Sequence, residues 1–145
     1  MLIEIVPHIW LGSLNNLNNS LFFVDKSIKN VINLEKDLNF MEGGIEYNDI
    51  VKKNIEKYNI IKMSEYLNKA TEYIYNNVKN SQSVLVVCHK GKKKCLVLIL
   101  AYLIKYCSLN KEMCIKIIRT KIIDAFNDGI YGEPALNYFI NFLKK

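Results

Sequence analysis

The run Ser83-Val84-Leu85-Val86-Val87 ends at Cys88, passes into the hexapeptide HKGKKK (His89 to Lys94), and resumes at Cys95 as an apolar stretch reaching Tyr106. The first run is β-branched and too short for a helix. It is also too apolar for a sheet edge, so it reads as a strand buried on both faces at the centre of a sheet. The stretch after the lysines has helix length. Its apolar heart, Leu96 to Ile104, is about half of the roughly 20 residues that cross a bilayer. It is therefore a core helix, no membrane association is expected, and the chain is built on a strand, a polar loop and a helix packed back on the sheet.

Other segments extend that layer. Ile3, Ile5, Ile9 and Leu11 alternate around Pro7 and predict two short strands joined by a turn, the second ending at Gly12-Ser13, where Ser13 is placed to cap a short helix. Val31-Ile32-Asn33-Leu34 reads as a buried strand, Glu35 to Gly44 as a loop and Ile45 to Val51 as a further strand. From Ile60 to Val78, apolar residues recur every three or four positions through Met63, Leu67, Ala70 and Ile74, which predicts an amphipathic helix. Lys111 to Arg119 reads as another helix. Glu133-Pro134 opens a last one, with Leu136, Phe139, Ile140 and Leu143 facing inward. Strands alternate with helices, so the expected class is α/β: a central, mainly parallel sheet of four or five strands between helices. With 145 residues, half of them hydrophobic, and neither repeat nor linker, residues 1–145 are expected to form one domain.

Twenty Lys and Arg against fourteen Asp and Glu give a net charge of +6, which favours anionic partners. The first ten residues, MLIEIVPHIW, carry no secretory signal, so a cytoplasmic protein is expected. Reduced thiols are then expected at Cys88, Cys95, Cys107 and Cys114. No CxxC pair or zinc-like spacing occurs, and no metal site is expected. Trp10 and the terminal tyrosines and phenylalanines are expected to pack, and His8 to be a packing or hydrogen-bonding residue.

A loop of this kind can aim successive backbone N–H groups inward while the next helix adds its positive N-terminal end, which together make a cradle for an anion. A thiol at its mouth has a depressed pKa. The same pattern also suits a buried, inert cysteine followed by a solvated basic turn. A disulfide between Cys88 and Cys95 across the loop is geometrically conceivable.

Val84 to Tyr106 resembles the signature region of the dual-specificity phosphatases, within the cysteine-based protein tyrosine phosphatase superfamily. Their loop reads HCxxGxxRS, and the helix after it often carries an AYL segment, matched by Ala101-Tyr102-Leu103. IVPHIWLGS (Ile5 to Ser13) is similar to the family's opening strand pair, VINL (Val31 to Leu34) to its next core strand, and Tyr58-Asn59-Ile60 to its helix entry. The length is similar to that of compact viral members, poxvirus proteins among them. The resemblance implies a three-layer phosphatase fold with the site at the C-terminal end of the Val84 to Val87 strand, and chemistry that uses no metal or organic cofactor.

Residue by residue, the resemblance makes Cys88 the nucleophile position, Gly91 the loop glycine, and His89, Lys90, Gly91, Lys92, Lys93 and Lys94 the phosphate-binding loop. Four positions depart. Lys94 stands where the family has the arginine that grips two phosphoryl oxygens, and keeps the charge without the planar fork. Cys95 replaces the Ser or Thr that donates to the thiolate and is a weaker donor. Val87 replaces the histidine before the nucleophile. Asn54 aligns, on a loop, with the general-acid aspartate and cannot protonate a leaving oxygen; Glu56, or less well Asp49, is the candidate substitute. Losing one preorganised donor costs about 100- to 1,000-fold in rate, and losing a general acid about 100- to 10,000-fold.

These departures fall on functional positions, whereas the scaffold residues around them remain. The expectation is a catalytically impaired phosphatase-like protein that binds phosphorylated protein through Cys88 to Lys94. Two alternatives remain: a slow protein phosphatase working through a phosphocysteine at Cys88, and an RNA or RNA 5′-phosphate binder, which lacks an obvious aromatic platform beside the lysines.

Overall fold

The computed structural model describes residues 2–18, 20–38, 49–89 and 93–144, with the side chains of residues 20 and 49–56 outside that description. Four strands, β1 (Ile3–Val6), β2 (Ile9–Ser13), β3 (Asn30–Asn33) and β4 (Val84–Cys88), lie in the order β1-β2-β4-β3. β1 and β2 pair antiparallel, whereas β4 pairs parallel with both β2 and β3. The sheet is mixed, with two of its three pairings parallel, and β4 is central as its apolar run requires.

All five residues of β4 are buried, and their alternation divides them between two cores. Val84, Val86 and Cys88 face the larger core. Leu85 and Val87 face the smaller one, with Ile28, Trp10, Phe22 and Phe23. The short helix α1 (Ser20–Asp25) supplies both phenylalanines, and Trp10 meets Phe22 edge to face with ring centroids 5.3 Å apart. Trp10 therefore packs, as its sequence context implies.

On the larger-core side, α3 (Asp49–Val78) and α4 (Lys93–Tyr106) pack against the sheet, α5 (Lys111–Arg119) packs on α4, and α6 (Glu133–Leu143) packs on α3 and α4. α4 is the central helix: Lys94 to Leu103 are all buried. In α6, Leu136 and Phe139 are buried, with Ile140 and Leu143 packed against the core. Cys107 and Cys114 lie outside β4 and the start of α4, and all four cysteines are free thiols.

Three local expectations need correction. The first residues of α3, Asp49 to Val51, are helical rather than part of a strand, and residues 45–48 lie outside the described residues. The helix expected from Ile60 begins at Asp49 instead, because no Gly or Pro interrupts the chain up to Val78 and extending a formed helix is easier than nucleating another element. Leu34–Asp37 forms the short helix α2, where Leu34 was expected to end a strand and Glu35 onward to be a loop: the Asn33 side chain caps it by accepting from the Lys36 N–H at 3.2 Å. Ser13 precedes a 3₁₀ turn at Leu14–Asn18. Its N–H and its hydroxyl both donate to Asn16 Oδ1, at 2.7 and 3.1 Å.

At the β1–β2 turn, His8 has a left-handed φ of 72°. Its N–H donates to Glu4 Oε2 at 3.3 Å and its Nδ1 lies 3.2 Å from Ser83 Oγ, so the histidine braces the turn against the entry to β4. At the start of α6, Gly132 has a left-handed φ of 63°. A methyl group added there would lie 2.6 Å from Met63 Sδ, in the buried contact between α3 and α6. Gly132→Ala is therefore expected to destabilise the protein by about 1–3 kcal/mol, read as a lower midpoint in urea unfolding with an unchanged slope.

Candidate functional site

The parallel pairing of β3 with β4 sets Asn33 beside Val87, so the chain leaving β3 runs next to the chain leaving β4. α2 is anchored there by buried Leu34 and Leu38 and by Tyr66 of α3, whose hydroxyl donates to Asp37 Oδ2 at 2.8 Å. Burial, and then the Asp37 carboxylate, push the Tyr66 phenol well above its ordinary pKa, which keeps it a donor. That bracing directs Glu35 at the loop.

Glu35 accepts two hydrogen bonds, one at each end of the hexapeptide. The His89 backbone N–H reaches Oε1 at 2.8 Å, and Lys94 Nζ reaches Oε2 at 3.1 Å. Burial pushes the Glu35 carboxyl up, but the His89 N–H and the Lys94 ammonium outweigh it and hold the group below its ordinary range. Glu35 is therefore an ionised acceptor at neutral pH, unsuited to giving a proton to a leaving group. The Lys94 side chain is only 7% exposed, and its ammonium also lies 5.7 Å from the Tyr131 ring centroid, within cation–π reach. Sequence reasoning gave Glu35 no role. The available signal was its place, two residues past a strand that a parallel sheet sets beside β4.

Cys88 closes β4 and is 2% exposed; Cys95, in the first turns of α4, is fully buried. Their sulfurs are 2.8 Å apart, with the Cys95 thiol donating to Cys88 Sγ. Val86 O is a second acceptor for the same S–H, at 3.6 Å. Donation from the Cys95 thiol is the largest influence on Cys88. With the Cys95 backbone N–H and the Lys94 charge, it outweighs burial and the Glu35 charge and lowers the Cys88 pKa. The Cys95 thiol is pushed strongly upward by burial and by Cys88. The pair is thus one thiol whose pKa is lowered and one whose pKa is raised, with the second donating to the first.

The other sequence-derived positions are dispersed. Val87 is buried in the smaller core, on the face of β4 away from Cys88. Lys93 is exposed at the start of α4 and lines a cleft of about 200 Å³ with Leu96, Asp124, Phe126, Asp128 and Tyr131. Lys90, Gly91 and Lys92 lie outside the described residues. Asn54 and Glu56 fall within α3, not on a loop, and their side chains are outside the description. Among the described residues no cluster of three or more His, Cys, Asp or Glu side chains could hold a metal ion, and no helix is long and apolar enough to cross a membrane.

A strand ending in an acidic cysteine, a basic loop and a buried helix make the arrangement that the sequence resemblance implies. The sequence profile described as the dual specificity phosphatase catalytic domain matches residues 9–129. The chain belongs to the dual-specificity phosphatase family. Three solved structures share its fold at low identity. The phosphatase of a leucine-rich-repeat and phosphatase-domain protein from Entamoeba histolytica superposes with a TM-score of 0.72 at 17% identity, over 99% of this chain and 92% of the other. A mouse putative dual specificity phosphatase, crystallised with zinc tungstate, gives 0.73 at 12% identity over 99% and 88%. Human DUSP28 gives 0.71 at 13% over 99% and 95%.

If the Cys95 S–H is the main stabiliser of the Cys88 thiolate, Cys95→Ala must raise the pH at which that thiolate forms, whereas Cys95→Ser, which keeps a donor, must hold it nearer the wild-type value. The thiolate ultraviolet absorbance followed against pH, in chains carrying Cys107→Ser, reads both. An unchanged midpoint in Cys95→Ala contradicts the assignment.

Proposed function

We propose that the protein is a catalytically impaired dual-specificity phosphatase that binds phosphorylated protein through its Cys88 to Lys94 loop. The observation that carries this reading is the pairing of Lys94 with Glu35 at 3.1 Å in a nearly buried setting. Phosphoryl transfer needs a cation aimed at the equatorial oxygens as charge redistributes over them. Lys94 holds a point charge instead of a fork, and an anionic neighbour already takes one of its donors and offsets its field. The ammonium is nearly buried and its carboxylate partner only partly exposed, so Lys94 is not readily released to follow a transition state.

Binding is less demanding than catalysis. The start of α4 and the excess of lysine in the loop sequence favour a dianion without a proton donor or a forked clamp. The structure of the mouse relative holds zinc tungstate, and tungstate is a tetrahedral oxyanion like phosphate, which supports anion recognition by this fold. The cleft lined by Lys93, Phe126 and Tyr131 offers a surface for the rest of a phosphorylated segment. A cytoplasmic setting belongs to the same proposal and is consistent with the four free thiols.

Two measurements test it. Titration with a phosphotyrosine or phosphothreonine peptide and its unphosphorylated twin is expected to favour the phosphorylated one by at least about tenfold, or 1.4 kcal/mol; equal affinity removes the reading. Hydrolysis of an activated aryl phosphate is expected to be scarcely above that of Cys88→Ser, and the double variant Lys94→Arg with Asn54→Asp to gain about 100-fold or more. Brisk wild-type turnover abolished by Cys88→Ser would establish the slow-enzyme alternative instead. Tighter binding of single-stranded RNA than of the phosphopeptide, falling with salt, would favour the nucleic-acid one.

A further inference from the structure

On the phosphate-binding reading proposed above, on which this rests, we infer that Glu35 is an internal ligand of the loop, its carboxylate held by donors that an incoming phosphoryl group must take over. Glu35 Oε1 accepts from the His89 backbone N–H at 2.8 Å and Oε2 from Lys94 Nζ at 3.1 Å. His89 opens the loop and Lys94 closes it. One carboxylate therefore engages the first and last residues of the segment that the family resemblance assigns to phosphate. A carboxylate and a phosphoryl group use such donors in the same way, as paired anionic oxygens facing N–H groups. The Glu35 charge also reaches the Cys88 sulfur and opposes its ionisation, as an anion near the nucleophile position does.

The two partners differ in their freedom to move. The Lys94 side chain is 7% exposed and its ammonium lies 5.7 Å from the Tyr131 ring centroid, whereas the Glu35 side chain is 23% exposed. Helix α2 does not depend on Glu35 for its place: Leu34 and Leu38 are fully buried, and Asp37 accepts from the Tyr66 hydroxyl. The carboxylate can therefore turn toward solvent about its own side-chain bonds while α2 stays. Lys94 then remains at the loop for the new anion. A phosphate monoester carries a charge of about −1.5 to −2 at neutral pH, so it competes for the ammonium better than a carboxylate of single charge.

An internal ligand weakens every external one by the same factor, because apparent affinity scales with the fraction of molecules whose site is open. With Glu35 engaged in about nine molecules of ten, that factor is about tenfold. The loop then holds an anion only when the rest of the ligand contributes as well. The cleft lined by Lys93, Phe126 and Tyr131 is where a phosphorylated segment makes that contribution, which free phosphate cannot.

The test uses the full chain with two probes: inorganic phosphate for the loop alone, and a phosphotyrosine peptide with its unphosphorylated twin. Glu35→Gln is expected to bind phosphate and the phosphopeptide each at least about tenfold more tightly than wild type, and both by the same factor. Unchanged or weaker phosphate binding makes Glu35 a brace of the loop and overturns the inference. A gain that vanishes near about 1 M sodium chloride, where the screening length is about 3 Å, reflects only the field of one removed charge and overturns it too. Because Glu35→Gln could fold poorly, the Glu35 carboxylate carbon of the wild type is also followed by NMR through the phosphate titration. Its resonance is expected to move as the site fills, and a resonance that stays fixed at saturation overturns the inference. If phosphate shows the gain while the two peptides bind equally, the functional proposal fails and the internal ligand stands. If phosphate binds neither wild type nor Glu35→Gln, both fail.

Discussion

Burial of β4 on both faces is the constraint from which the site follows. A strand with Val84, Leu85, Val86 and Val87 fully buried can sit only between two hydrogen-bonded neighbours and beneath apolar cover on each side. β2 and β3 supply the neighbours, and both run parallel to it. Parallel pairing carries the C-terminal ends of β3 and β4 to one edge, where α2 and the loop begin. The alternation of β4 then sends Cys88 toward α4 and Val87 toward Trp10 and the phenylalanines. A one-residue slip in β4 would exchange those faces and separate the two thiols.

Electrostatics at that edge are concentrated in one carboxylate. The exposed pair of Lys111 with Glu133, at 3.5 Å and about a third to a half accessible, belongs to a class worth roughly 0–1 kcal/mol. Lys94 and Glu35 differ because the lysine is nearly buried. Removing Glu35 would take the carboxylate away from a nearly buried ammonium, whereas the Glu35 carboxylate, 23% exposed, stays within reach of water. The bridge therefore constrains the loop at both ends, through the His89 N–H and the Lys94 ammonium. The same economy of contact governs the thiols, where Cys95 serves as donor to Cys88 while filling core space beneath α4.

Much of this was legible in the residues. The strand, loop and helix around Cys88 follow from an apolar run, a charged hexapeptide and a second apolar run, which are local signals strong enough to survive tertiary packing. The inward face of α6 and the extent of α5 were legible for the same reason. The length of α3 was not: Ile50 and Val51 read equally well as strand residues, and only continuity with the downstream helix decides between them. Val87 could be identified as apolar, but not as turned away from the nucleophile position, because facing is a property of the sheet. Glu35 gave no motif. Its partners His89 and Lys94 are 54 and 59 residues away, and only the strand order makes them neighbours.

The sequence by itself determined the α/β class, through local periodicity, and carried the resemblance to the dual-specificity phosphatase signature that set the cysteine and lysine at the ends of the loop, because both are local signals. The tertiary structure decided that Lys94 is paired with a carboxylate, that the Cys95 thiol touches the Cys88 sulfur, and which thiol donates to the other. Such facts depend on the register of parallel strands and on the depth to which α4 is buried, and neither is encoded in any single stretch of the chain.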